Sequence, residues 1–356
     1  MKKIGVGILG ATGMAGQRYL QLLEKHPTFE VRVLVASQRS AGKTYGQAVE
    51  GRWLMQTPIP ENIRDLKVES LDSPELVKER CSLVFSAIDS EPAREWEPRY
   101  AAAGLKVVSN ASSYRKDPLV PVLIPELNPH HLDILPLQRE IKGFQEGFLT
   151  VKPNCSLQSY LLPLYVLHRR YVLEEVVVTT LQALSGAGYP GVASLNALDN
   201  CVPYIAGEEE KSEQEPLKIL GEVGEQGILS NPEIKISAHC NRVPVLDGHL
   251  ACVSAKFREA PELAAIPGLW EEFRARPQEL SLPSAPGQPI RYLHEPDRPQ
   301  TRLDRDFENG MGITVGRLRS CNVHQIRFTC LSHNTIRGAA GGGILIAELM
   351  KASNLL

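Results

Sequence analysis

Residues 4–25 constrain the fold more than any other stretch. An apolar run, Ile4–Leu9, enters the glycine-rich string GILGATGMAG at 7–16, and a helical pattern, Gln17–Lys25, follows at once. A short apolar run ended by glycines and followed by helical periodicity reads as strand, turn and helix. The glycines permit a tight turn and a close backbone approach, so the first N–H groups of the helix and its dipole can face an anion such as a pyrophosphate. The spacing is G-x-x-G-x-x-G, a variant of the G-x-G-x-x-G string of dinucleotide sites, with Gly10, Ala11, Thr12, Gly13 and Met14 at the turn.

The next 120 residues repeat the alternation. Strands are predicted at Ile4–Leu9, Val31–Ala36, Leu83–Ala87 and Lys106–Ser109, and helices at about 14–25, 73–80, 91–103 and 128–139. Such alternation predicts a parallel sheet with helices on both faces. From about residue 150 the strands lengthen: Glu175–Ala183, Ile234–His239, Val243–Leu246, Leu250–Phe257, Met311–Leu318 and Gln325–Leu331. Several alternate apolar with polar or small residues, as a sheet covered on one face does. Helices are expected at about 155–168, 208–222 and 260–275, and loops at 277–289 and 295–300. The fold class is therefore α/β. A Rossmann-type dinucleotide-binding domain over 1–150 is joined by an α+β catalytic and dimerisation domain with a mixed sheet over 151–334. A last helix, 335–356, returns to the first domain through the small-residue face GAAGGG at 338–343.

A chain of 356 residues suits two domains of ordinary size. Its net charge of −2 gives no reason to expect nucleic acid or an anionic membrane as partner. The longest uncharged stretch, Val176 to Leu198, carries three glycines, Pro190 and several hydroxyls, and reads as a strand and loop, not a membrane span. No signal peptide is expected at the start. Seven scattered cysteines without metal-ligand spacing predict a reducing, cytoplasmic setting with mostly inert core thiols and no metal.

The second strand bears on the choice of dinucleotide. A site for NAD commonly places a carboxylate there for the ribose 2′-hydroxyl. Here ASQRSAG at 36–42 has none, and Ser37, Arg39 and Ser40 offer a cation and hydroxyls to a 2′-phosphate. NADP(H) is the expected cofactor, with a solvated Arg39 on a loop as the plainer reading.

One cysteine stands apart. Cys155 lies in PNCS at 153–156, after the strand Phe148–Val151 and before the helical run Leu157–Arg169. A helix dipole at that point favours a thiolate. A thiolate can take an acyl group as a thioester, and hydride from a reduced nicotinamide then releases an aldehyde.

Taken in order, GILGATGMAG, ASQRSAG, SNASSYR, PELN, PNCS, QALSGAGYPG, YIAGEEEK, CNRVPVLDGH, DRPQTRLDRD, NGMGITVGR and HNTIRGAAGGG resemble the aspartate-semialdehyde dehydrogenase family from end to end. The resemblance implies NADPH-dependent reductive dephosphorylation of L-aspartyl-4-phosphate to the semialdehyde, in biosynthesis of lysine, threonine, methionine and isoleucine. It implies Cys155 as nucleophile, Asn154 and Gln182 as positioning groups and His249 as acid/base. A near-neutral imidazole suits that last task, and His239 and His333 compete for it. Arg242, seven residues before His249, would hold the α-carboxylate. Glu208 would hold the ammonium, with Glu209 as an alternative, and Lys211 and Arg115 the phosphate. Asn334 would touch the nicotinamide amide. A homodimer or homotetramer is expected on the same ground.

Four departures bear on the phosphate site: Lys152 before Pro153, Leu157 where a second hydroxyl is usual, His239 before the CNR segment, and the stretch NASSY at 110–114, which is less basic than usual. An acyl-CoA reductase of the malonyl-CoA type would share the cysteine and the SGAGYPG segment, but it has no ammonium to pair with Glu208. An N-acetylglutamyl-phosphate reductase fails on the same point. A cofactor-binding sensor without chemistry is the remaining alternative, and it has no need of Cys155, Gln182, Arg242 and His249 together.

Overall fold

The computed structural model describes residues 3–356. Strands β1 (Ile4–Leu9), β2 (Phe29–Ala36), β3 (Val68–Ser70), β4 (Leu83–Ser86), β5 (Lys106–Ser109) and β6 (Phe148–Val151) form one sheet. Every pair is parallel, in the order β3-β2-β1-β4-β5-β6. The chain winds outward from β1 in one direction and from β4 in the other, so a crevice opens beyond their carboxyl ends. Helices α1 (Met14–Leu23) and α2 (Ser90–Ala102) begin there. β1, β2 and β4 end in continuously buried runs, as strands covered on both faces must.

After β6 comes α3 (Leu157–Tyr171), and then a second sheet is built from β7 (Leu173–Gln182), β10 (Lys235–Arg242), β11 (His249–Phe257), β12 (Ile290–Leu293), β13 (Ile313–Ser320) and β14 (Ile326–Ser332). A helix, α4 (Glu208–Ile219), and a small hairpin, β8 (Glu222–Gly224) with β9 (Gly227–Leu229), intervene. The order is β10-β7-β11-β14-β13-β12, with parallel pairs only at the two edges. α3 packs against one face of this sheet. Along β11, His249, Ala251, Val253, Ala255 and Phe257 point inward and are buried, while Cys252 points out and is exposed. The period-2 pleat therefore delivers His249 to the covered side.

The chain ends with α5 (Gly341–Ala352), preceded by one wide helical turn, Ile336–Ala340. α5 is buried through Met350 and packs against α1 and β5 of the first sheet. Gly343 permits this approach, because a Cβ there would lie 3.0 Å from Cζ of the fully buried Tyr19 and closer still to its hydroxyl.

Four sequence expectations need correcting. Val243–Leu246 is not a strand: Pro244 has no N–H to give a ladder, and the Val245 and Leu246 carbonyls instead accept from Leu184 and Ser185. The helix expected at 260–275 is a short 3-10 turn and one short helix, Ile266–Glu271. The one expected at 128–139 opens as a 3-10 segment, Pro129–Ile134. The cysteines outside PNCS are not all core residues: Cys81, Cys240 and Cys330 are buried, but Cys201 and Cys252 are exposed, one on a loop and one on the open sheet face. β3, β8, β9 and β12 are three or four residues long and too brief to give a period.

Candidate active site

Cys155 lies between β6 and α3 at the wall of a cleft of about 330 Å³. Its Sγ is 3.3 Å from His249 Nε2. The other ring nitrogen, Nδ1, accepts the Ala183 main-chain N–H at 3.0 Å. Ala183 itself is held firmly, since its carbonyl accepts Arg242 Nη1 at 2.6 Å and the Gly186 N–H at 3.1 Å. Gly186 lines the cleft directly in front of these groups. A Cβ there would fall 2.8 Å from Arg242 Nη1 and 3.1 Å from His249 Nε2, so only a glycine leaves both side chains in place.

Burial, and then the Glu208 carboxylate, push the Cys155 thiol up to about 11, against the opposing pull of Lys152, Arg115 and Arg242. Desolvation of the thiolate thus works against the pull of the helix dipole at the start of α3. Burial and then Arg242 lower the His249 imidazole to about 3, so the ring is neutral at physiological pH.

Glu208 opens α4 and collects the remaining polar groups. Asn154 Nδ2 donates to both its oxygens at 2.8 Å, Gln182 Nε2 donates at 3.1 Å and Lys211 Nζ at 2.8 Å. Burial pushes this carboxyl up, but Lys211, Asn154 and Gln182 outweigh it and hold it below its ordinary value. Two helical turns below, Glu215 accepts the Asn154 main-chain N–H at 2.7 Å and Arg115 Nη1 at 2.9 Å. Glu208, Lys211 and Glu215 fall at i, i+3 and i+7 on one face of α4. That spacing was visible in the sequence, and it is the signal that would have found Glu215. Arg115 also donates to the Asn110 carbonyl at 2.7 Å. It lines the cleft with Asn154, Glu208, Lys211 and Asn334.

Glu209 lies elsewhere: it accepts the Cys240 N–H and does not border the cleft. Neither competing histidine touches Cys155. His239 is exposed on the edge strand β10, and His333 is buried 3.8 Å from Asp306. Lys152 was noted only as a departure. It is almost fully buried, its ammonium reaches one carbonyl, that of Pro153, and burial brings it down to about 7.

At the other end of the cleft stand Met14 and Ala15 of α1 and Ala87 to Ser90 after β4. Gly10 has φ +78, and a Cβ there would meet the Ala87 carbonyl. Gly13 precedes α1 without a side-chain cap, and a Cβ on it would find only one neighbour, at 3.4 Å. Uncapped N–H groups beside an open backbone suit a pyrophosphate. Thr12 and Ala11 complete the turn, with the Ala11 N–H bound to the Val35 carbonyl. After β2, Ser37 and Arg39 are exposed and Ser40 is buried. Asn334 bridges two walls: its Oδ1 accepts the Gly248 N–H and its Nδ2 donates to Ser185 Oγ, both at 2.8 Å.

Comparison with known proteins gives matches in both halves of the chain. Residues 5–135 match the family model described as semialdehyde dehydrogenase, NAD binding domain, and residues 163–337 match the semialdehyde dehydrogenase dimerisation domain. The aspartate-semialdehyde dehydrogenase of Cryptococcus neoformans is 44% identical, over 99% of this chain and 98% of its own. That of Methanothermobacter thermautotrophicus is also 44% identical, over 98% and 99%. The chain belongs to the aspartate-semialdehyde dehydrogenase family. The fold of this aspartate-semialdehyde dehydrogenase family member matches the crystal structure of the Candida albicans enzyme with NADP at a TM-score of 0.91 and 42% identity, covering 99% of this chain and all of that one. Among the described residues no helix is long and apolar enough to cross a membrane.

Proposed function

We propose that the protein reduces L-aspartyl-4-phosphate to L-aspartate 4-semialdehyde and phosphate, using NADPH. The observation that carries this reading is Cys155 Sγ against His249 Nε2, at the wall of a cleft that also presents the Glu208 carboxylate and the cations Arg115 and Lys211, with Arg242 behind Gly186. A substrate with an ammonium, a carboxylate and an acyl phosphate needs that mixture of charge. Arg242 binds the α-carboxylate, Glu208 the ammonium, and Lys211 with Arg115 the phosphate. Asn154 and Gln182, both tied to Glu208, keep the ammonium pocket in register with the nucleophile. Cys155 displaces phosphate and carries the acyl group as a thioester, and His249 bonds to the reacting sulfur and oxygen.

The N-terminal turn of α1, with Gly10 to Met14, holds the pyrophosphate; Ser37, Arg39 and Ser40 hold the 2′-phosphate, and Asn334 the nicotinamide amide. When bound, the reduced nicotinamide supplies the hydride that turns the acyl carbon into an aldehyde. The working form is a homodimer that covers exposed apolar side chains of the second half, among them Val177, Tyr189, Leu195, Leu198, Tyr204 and Leu246. Its setting is the cytoplasm, where reduced thiols persist.

The test runs the reaction backwards: aspartate semialdehyde, phosphate and NADP⁺, followed by nicotinamide absorbance. The expected result is phosphate-dependent reduction that is lost in Cys155→Ser. Turnover that needs coenzyme A in place of phosphate, or none at all with the parent protein, would sink the reading.

A further inference from the structure

The segment after β5, residues 110–120, carries Arg115 and turns back on itself. The Arg115 N–H bonds the Ser112 carbonyl at 3.2 Å, that of Asp117 bonds Tyr114 at 3.2 Å and that of Val120 bonds Asp117 at 3.0 Å. This curl brings three carbonyls, those of Arg115, Asp117 and Val120, to one point. Lys218 Nζ stands at that point and donates to them at 2.9, 2.5 and 2.8 Å. An ammonium has three N–H donors, so all of them are in use. Lys218 is buried near the end of α4, and Glu208, Lys211, Glu215 and Lys218 fall at i, i+3, i+7 and i+10 along that helix. Those spacings share one helix face.

Arg115 is fixed at both ends. Lys218 holds its carbonyl, Glu215 takes Nη1 at 2.9 Å and the Asn110 carbonyl takes Nη2 at 2.7 Å. Its Nε is buried and has no partner among the described residues, although the side chain borders the cleft. A guanidinium is a rigid planar fork, so these contacts fix where its remaining donors point. Lys211, the other cation assigned to the phosphate, borders the same cleft from the first turn of α4. The contacts at 215 and 218 therefore tie two cations, one from each half of the chain, to a single helix.

We infer that Lys218 is the positioning residue of the phosphate subsite: its ammonium gathers the carbonyls of 115, 117 and 120 and so sets where the Arg115 guanidinium meets a phosphate oxygen. Lys218 does not border the cleft and acts only through Arg115. The inference rests on the reading of Arg115 as a phosphate ligand. Methionine at 218 would fill the place of the lysine stem and donate nothing, leaving three carbonyls without their partner. The segment must then turn to satisfy them, and the root of Arg115 turns with it. Glu208 and Lys211 keep their places, because Asn154 and Gln182 hold that end of the site.

The first test is the reverse assay with phosphate, aspartate semialdehyde and NADP⁺ varied in turn. Lys218→Met should raise KM for phosphate roughly tenfold or more and move the other two by less than about threefold, since misplacing a positioning group by about 1 Å costs up to roughly 100-fold. In an Arg115→Ala background the same change should add nothing to KM for phosphate, because the group it positions is gone. Equal changes in all three constants, or an effect that multiplies with Arg115→Ala, would reduce Lys218 to a structural role and overturn the inference.

The second test needs no turnover. Inorganic phosphate should protect Cys155 from iodoacetamide, followed by mass at the Cys155 peptide, because Arg115, Lys211 and Cys155 line one cleft. Lys218→Met should need roughly tenfold more phosphate for half protection. Equal protection of parent and variant would sink this inference and leave the phosphate reading standing. No protection of either, with no phosphate-dependent turnover, would remove the Arg115 assignment and this inference with it. If the methionine protein does not fold, Lys218→Gln carries both comparisons, because its amide still donates to part of the set.

Discussion

Gly343→Ala tests how the last helix closes the first sheet. A Cβ at 343 would lie 3.0 Å from Tyr19 Cζ and nearer still to its hydroxyl, where ordinary contact begins at about 3.4 Å. Tyr19 has little room to yield: it is fully buried, its ring stacks on Phe85 at 4.7 Å and its hydroxyl accepts Asn110 Nδ2 at 3.0 Å. Overpacking of this kind costs about 1–3 kcal/mol. Replacing glycine by alanine inside a helix returns about 0.5–1 kcal/mol. The net expectation is a loss of about 1–2 kcal/mol, which for a domain of this size lowers Tm by roughly 2–8 °C.

Tyr19→Phe removes the offending oxygen and leaves a shortfall of a few tenths of an ångström. It costs about 1 kcal/mol for the lost hydrogen bond, because Asn110 keeps its second acceptor, the Ser86 carbonyl. Gly343→Ala should then be near neutral in the phenylalanine background, since helix propensity offsets what crowding remains. The assay is thermal unfolding of the four proteins at one concentration, read as a double-mutant cycle. A strictly additive cycle, or a Gly343→Ala protein as stable as the parent, would refute the packing argument.

Three further outcomes are expected. Glu215→Gln should lower stability by about 3 kcal/mol in urea unfolding, since it leaves the buried Arg115 and the Asn154 N–H without a shared carboxylate; an unchanged midpoint would mean the pair is idle. Arg39→Ala should raise KM for NADP⁺ at least tenfold and barely alter that for NAD⁺, and equal changes would remove Arg39 from the 2′-phosphate site. Lys152→Met should gain stability over the parent at pH 6 and lose that advantage by pH 10. The folded lysine titrates near 7 and an unfolded one near 10.4, so the folded state binds fewer protons between those limits and the parent's stability rises with pH through that window. The full swing is on the order of 4 kcal/mol; a variant-minus-parent difference flat from pH 6 to pH 10 would contradict the burial of that ammonium.

Much of the first half was legible because its signals are local. Ile4–Leu9 and Lys106–Ser109 were bounded by turn residues and came out residue for residue. The Cys155 loop was legible too, because PNCS stands between a strand and a helix. The ionisation of its sulfur was not, since desolvation depends on what folds over the cysteine from residues 183–188, 208 and 338. Glu215 and Lys152 were passed over for a related reason. A charged residue in a polar helix or beside a proline looks solvated until its neighbours are known. The Ala183 amide left no trace at all, because a main-chain group has no side-chain signature. Val243–Leu246 misled through its valines, whose β preference yielded to Pro244 and to the carbonyl partners of the 184–185 loop.

The return of α5 to the first sheet also sets an order of events during synthesis. β6 ends at Val151, yet the helix that covers β5 and packs on α1 begins only at Gly341. At ribosomal speeds of roughly 5–20 residues per second, the nascent chain carries an apolar sheet face without that cover for roughly 10–40 s. Val108, Phe85 and Tyr19, all buried in the finished molecule, await a partner that is translated about 190 residues after β6. The first-made half is therefore the last to be completed, and a ribosome stalled before Gly341 would hold a sticky intermediate fit for a chaperone and not for catalysis.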